Sequence, residues 1–310
     1  MHEHIARALY YFEIHLLYAS VVGVAAWALS SIRWGSATTK YWIWVAAAFN
    51  FILPTGAVLD KLWASHLSWA APLGIIGDFA NTVSRGRMAV MISALWLLGA
   101  SLMLTRLCLR IRAERRDAQA TGSQSARHSR PGFLAHGIPV RFVGSGQAPA
   151  VYGVLHPYIS IPDGIDRLLS EHELDAVLIH ELAHARRRDN LIRLIHEVSL
   201  CVLWFHPLVW ISGTRLALYR ELSCDESVIQ GAHGEELVSA LAKLAHPQQA
   251  LLLQASASSF ISHRLARLAA KPQPTYCAAS LLLTVAFGAV LIWGVFGTVA
   301  HTACCFLPKR

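Results

Sequence analysis

His180-Glu181-Leu182-Ala183-His184 is an H-E-x-x-H pattern. On a helix, positions i and i+4 share one face, so both imidazoles can hold a single metal ion. Glu181 stands beside the pair and can reach a water at the metal, the position of a general base in metal-assisted hydrolysis. A catalytic zinc usually takes three protein ligands and leaves one position for water. No second histidine follows at the spacing of the metzincin extension, and the best third ligand is Glu221, in Arg220-Glu221-Leu222-Ser223-Cys224-Asp225-Glu226. Asp225 lies one turn further on the same face and can hold a ligand imidazole by its free N–H. Glu226 projects about 100° away from Asp225 and is left out. Cys224 reads as a small buried residue rather than a ligand. His206, Tyr219 and Arg220 are candidates for stabilising an oxyanion, with nothing in the sequence to rank them.

These residues need helices to bring them together. Ser170-Glu171-His172-Glu173 reads as a capping box opening a helix whose apolar face runs through Ala176, Val177 and Leu178. Arg186, Arg187 and Arg188 finish it and face solvent or lipid headgroups. Asp189 or Asn190 caps the next helix, which stops at Trp204-Phe205-His206-Pro207. Another starts near Pro207 and runs through Glu221 and Asp225 to about Gln230. Residues 200–211 are nearly all apolar and could touch a bilayer, while Pro207, Arg193 and Glu197 argue against a full span. Upstream, Ile138–Val143, Ala150–Leu155 and Tyr158–Ile161 read as strands of a small antiparallel sheet. Pro157 and Pro162 bracket the last one and favour an edge strand, which could hold an extended peptide by strand addition. Ala118–Arg130 is polar and small and reads as a linker.

The whole chain is 55% apolar and 15% charged, with mean hydropathy +0.42. Soluble chains average about 25% charged residues, so the apolar excess points to membrane spans. Four segments qualify: residues 9–32, 41–59, 88–105 and 276–302. Glu13 and His15 make the first too polar for a signal peptide. Arg106, Arg110, Arg112, Arg115 and Arg116 follow the third span directly, so the positive-inside rule makes the region after it cytoplasmic. The expected division is 1–117 for three transmembrane helices with outer loop 60–87, 118–274 for a cytoplasmic domain, and 275–310 for a fourth helix and short outer tail. The net charge of +8 is then explained by basic residues beside the membrane, and no direct nucleic-acid partner is expected. Six cysteines form no C-x-x-C pair, which argues against structural disulfides or a cysteine-type zinc site.

The stretch from Ile138 to Val228 resembles the zinc-peptidase domain of the BlaR/MecR-type antirepressor membrane proteins. The matching pieces are PVRFV, VYGVLHPYISIPDGI, LDAVLIHELAHARRRDN, LWFHPLVW and RELSCDESVI. CaaX-prenyl-type and heat-shock membrane peptidases are the nearest alternative relatives. The resemblance implies an α+β membrane protein of four transmembrane helices, in the inner membrane, with a cytoplasmic gluzincin-like domain. It implies zinc held by His180, His184 and Glu221, with Glu181 as base. The implied partners are membrane lipid and a protein or peptide substrate, a transcriptional repressor among the candidates. Self-cleavage between Ser259 and Phe260 follows from the same resemblance and from the small, polar composition of residues 254–259. The penicillin-binding sensor domain that β-lactam sensors of this type carry after the last span is expected to be lacking. Membrane-protein quality control and a non-catalytic zinc-stabilised scaffold are the alternative readings; an intact Glu181 argues against the scaffold.

Overall fold

The structure is a computed structural model that describes residues 2–32, 35–52, 87–125, 133–144 and 148–244, together with Arg264, Leu282 and residues 284–289. Residues 60–86 of the expected outer loop, Ser259, Phe260 and most of the fourth span lie outside the described residues.

Three long helices come first: α1 (His2–Ser31), α2 (Ala37–Ile52) and α3 (Arg87–Ser125). Within α3, Val90–Arg116 is the one stretch among the described residues long and apolar enough to cross a membrane. The apolar part of α1, His15–Ser31, is shorter, and α2 has 16 residues. The helix α3 continues to Ser125, so the first part of the expected linker is helical.

Four strands follow: β1 (Phe133–Ala135), β2 (Ile138–Val143), β3 (Ala150–Tyr152) and β4 (Tyr158–Pro162). They form one sheet in the order β1-β2-β4-β3. The sheet is mixed rather than antiparallel, because β2 and β4 pair in parallel, Val140 opposite Ile159. Nor is β4 an edge. The chain turns back at Gly153 (φ +87) and lays β3 antiparallel along the free side of β4. A Cβ on Gly153 would stand 2.4 Å from the His156 carbonyl oxygen, so this tight return requires glycine. The sheet edges are β1 and β3, and strand addition cannot take place on β4.

The helices α4 (Ile165–Leu168), α5 (Glu171–Arg187), α6 (Asp189–Val202), α7 (Pro207–Gln230) and α8 (Gly234–Leu244) follow. The capping box forms: Glu173 N–H donates to Ser170 Oγ (3.3 Å) and Ser170 N–H to Glu173 Oε2 (2.7 Å). Arg188 (φ 55) takes a left-handed conformation between α5 and α6, and this sharp joint lets α6 start at once with Asp189.

Two cores share α7. Val140, Ile159, Ile161, Ala176, Val177 and Val228 pack sheet, α5 and α7 together. Val22, Tyr41, Trp44, Leu216, Tyr219 and Leu222 pack α1, α2 and α7. One rigid helix therefore belongs to both the sheet domain and the bundle.

Candidate metal centre

The helices α5 and α7 lie side by side, and their facing residues converge. His180 Nε2 and His184 Nε2 are 3.2 Å apart. Glu221 Oε2 is 3.6 Å from the first and 3.8 Å from the second. Donors about 2.0–2.1 Å from a tetrahedral zinc are separated by roughly 3.4 Å, so these atoms fit that ion. Two imidazole nitrogens and one carboxylate oxygen are a donor set that could hold a divalent metal ion.

Each donor is oriented by a second contact. Arg220 donates from Nε (3.1 Å) and Nη2 (3.0 Å) to Glu221 Oε1, leaving Oε2 for the imidazoles. Asp225 Oδ1 stands 3.1 Å from His180 Nδ1, at an angle off the ring N–H direction. Arg264 clamps Asp225 through both carboxylate oxygens (2.8 and 2.9 Å) and places Nη1 3.6 Å from Glu221 Oε2. His184 Nδ1 donates to Asp189 Oδ2 at 2.7 Å.

Neither Asp189 nor Arg264 was assigned to the site by the sequence reading. Asp189 is a helix cap by its pattern, yet it begins α6 five residues after His184, where the left-handed Arg188 turns it back onto the imidazole. Its other oxygen accepts from Tyr41 Oη of α2 at 2.5 Å. Arg187 likewise points inward, contrary to the expected solvent-facing terminus. It donates to Asp189 Oδ2 (2.8 Å), Cys224 Sγ (2.7 Å) and Ser223 Oγ, with its guanidinium over the Tyr41 ring.

The three oxyanion candidates lie in different places. His206 lies at the start of α7, its Nε2 3.0 Å from Ser20 Oγ, about 22 Å along the helix from Glu221. Tyr219 Oη donates to the Ser30 carbonyl, whereas Arg220 donates from Nε and Nη2 to Glu221 Oε1 and so stands at the site. Glu226, set aside above, caps the N-terminus of α2, accepting from Ala37 N (3.1 Å), Thr38 N (3.0 Å) and Thr38 Oγ1 (2.8 Å).

Charge is distributed to suit a cation. Burial opposes ionisation of Glu221, but hydrogen bonds from His180 and His184 and the Arg220 charge outweigh it and hold the carboxyl well below its ordinary range. Asp225 is lowered in the same way, against burial, by His180 and Arg264. Burial disfavours charge on His184, yet Asp189, Cys224 and Glu221 push its proton affinity well above the ordinary value. Positive charge is therefore favoured between the imidazoles. Glu181 differs from the other acids: burial raises its carboxyl despite the neighbouring imidazoles. Raised proton affinity suits a group that must accept a proton and give it back.

A second donor set overlaps the first. Cys224 is fully buried, and its Sγ lies within 4.8 Å of donor atoms of His180 and His184. Burial raises its thiol, and Arg187 occupies the sulfur, so the carboxylate of Glu221 is the better third donor.

Comparison with known proteins places this arrangement in a family. "Regulatory protein BlaR1" of Bacillus licheniformis is 26% identical over 205 residues, 59% of this chain and 33% of that protein. "Methicillin resistance mecR1 protein" of Staphylococcus aureus and of Staphylococcus epidermidis are each 23% identical over 179 residues, 54% of this chain and 30% of theirs. The chain thus spans about a third of the length of these curated relatives. The profile described as "BlaR1 peptidase M56" matches residues 12–268, from within α1 to just past Arg264, and the chain belongs to that peptidase family.

Proposed function

We propose that the chain is an integral-membrane zinc metalloendopeptidase that acts in regulatory signalling by cutting itself or a repressor protein. The convergence of His180 Nε2, His184 Nε2 and Glu221 Oε2 carries the reading. Zinc bound there would supply Lewis acidity toward the scissile carbonyl and lower the pKa of a water. Glu181 takes the proton of the attacking water and delivers it to the leaving amine. Asp189 holds His184 in the tautomer that presents Nε2, and Asp225 places its charge 3.1 Å from His180 Nδ1. Arg220 and Arg264 keep Glu221 and Asp225 ionised and in place.

The regulatory role is supported by the kinship with proteins named for regulation and methicillin resistance. Self-cleavage between Ser259 and Phe260 is supported by chain length. Arg264 is fixed on Asp225, and at most about 18 Å of extended chain separates it from that bond. The test compares fragments in membranes carrying the native chain and Glu181→Gln. The native chain should yield a fragment beginning at Phe260 and the variant should not. A fragment of that kind persisting in the variant would assign the cut to another protease.

A further inference from the structure

The α6–α7 hairpin is built as a lipid-facing element. It carries no Asp, Glu, Lys or Arg between Glu197 and Arg215. Its outer face exposes Val198, Val202, Phe205, Trp210 and Ile211. The hairpin packs on α3, where Met91, Leu95, Leu98 and Leu102 are each more than half exposed.

The helix α6 runs antiparallel to α3 in a fixed register. Arg193 pairs with Glu114 and Glu197 with Arg110 at one end. At the other end Trp96 Nε1 donates to the Val202 carbonyl at 2.9 Å. A Cβ on Gly99 would stand 2.2 Å from the Trp204 ring, so the indole lies directly on the α3 backbone. From Arg106, the first charge after the apolar run, Trp96 is about 15 Å along α3. That is half of a hydrocarbon core of about 30 Å. The tip of the hairpin therefore lies near mid-depth of any bilayer that α3 crosses.

A chain that turns back inside lipid has to satisfy the carbonyls freed at the helix end, because water is absent there. Here indoles do so. Besides Trp96 on Val202, Trp210 Nε1 donates to the Trp204 carbonyl (2.8 Å), while Trp204 Nε1 anchors the tip to α3 at the Trp96 carbonyl (3.3 Å). Apolar rings that end in a hydrogen-bond donor suit this place better than any charged side chain.

We propose that residues 198–214 enter the bilayer from the side of the metal centre and turn back within it, with lipid acyl chains covering Val198, Val202, Phe205, Trp210 and Ile211. The inference rests on the reading that α3 crosses the membrane. It fixes the height of the site: Glu221 is about 21 Å up α7 from Pro207, while Arg106 is about 15 Å up α3 from Trp96. The metal centre then sits at the headgroup layer, and peptide segments held at the membrane surface are its substrates.

A benzophenone side chain introduced separately at Phe205, Ile211, Leu98 and Glu235 of the full chain, in phosphatidylethanolamine–phosphatidylglycerol vesicles, tests this on irradiation. Phospholipid adducts are expected at Phe205 and Ile211 in about the yield found at Leu98, with none at Glu235 on α8. Adducts at Leu98 without any at Phe205 and Ile211 would refute the insertion and leave the α3 span standing. Crosslinked dimers from Phe205 would refute it by making a second copy the occupant. Absence of adducts at Leu98 as well would overturn the membrane reading together with the inference.

Discussion

At the scale of residues, the third ligand is the sharpest question, because Glu221 and Cys224 are three positions apart on α7 and both approach the histidines. They differ chemically. Glu221 is held ionised, whereas burial keeps the Cys224 proton on. Removing a ligand removes the metal, while removing a buried thiol leaves a small void. Glu221→Ala is therefore expected to lower zinc content sharply, and Cys224→Ala to keep near-full occupancy with a loss of about 1 kcal/mol in stability. Metal analysis of the purified chain decides, and a cobalt-substituted protein gives a second readout. An intense thiolate charge-transfer band there would make Cys224 the ligand. Glu173 offers a pH test away from the metal. Its buried carboxyl is held at about 2 by Lys243, by Ser239 and by the Ser170 N–H. A folded value below the ordinary 4.5 stabilises the fold above that pH, and the contribution disappears as pH falls toward 2. In Glu173→Gln, thermal unfolding followed from neutral to acid pH should lose this part of its pH dependence.

At the scale of elements, the metal helices were legible and their partners were not. The H-E-x-x-H pattern, the capping box and Pro207 announce α5 and α7 because each is a local signal of spacing and capping. The sheet order is non-local: nothing within Tyr158–Pro162 says that β3 will cover it, and its flanking prolines suggested the opposite. Asp189 and Arg264 reach the site through a backbone turn and a distant segment, and neither leaves a periodic signal. Least legible was α2, which reads as a plain span. It is tied to the site twice: Glu226 of α7 caps its first turn, and Tyr41 holds the aspartate that orients His184. A shift of α2 along its axis would therefore disturb a metal ligand. Losing an outer-shell partner typically costs about 10–100-fold in metal affinity. Tyr41→Phe keeps the ring beneath Arg187 and deletes only the hydroxyl. It should weaken zinc binding about tenfold, measured by chelator competition, with the circular dichroism spectrum unchanged. Unaltered affinity would show that α2 merely packs there.

At the scale of the whole molecule, the contacts sort the helix ends into two levels. Ser30 of α1, Ala37 of α2 and Glu114 of α3 all meet α6 or α7 at the level of the metal centre. His15 of α1 donates to the Phe51 carbonyl of α2, and Phe51 packs on His206, at the level of the hairpin tip with Trp96. So α1 and α3 run toward the metal centre and α2 runs away from it. The end of α3 that reaches the metal level carries Arg106, Arg110, Arg112, Arg115 and Arg116, against Lys61, Arg85 and Arg87 over residues 53–87. Basic residues close to a span stay on the cytoplasmic side. The metal centre and residues 118–274 are thus expected in the cytoplasm, where a repressor would be met. Ser125→Cys, at the last residue of α3, should react with a membrane-impermeant maleimide only after the cells are permeabilised, with peptide mapping to separate that label from those on the native cysteines. Labelling at position 125 in intact cells would invert the topology and leave a cytoplasmic repressor out of reach, although the geometry of the metal site would stand.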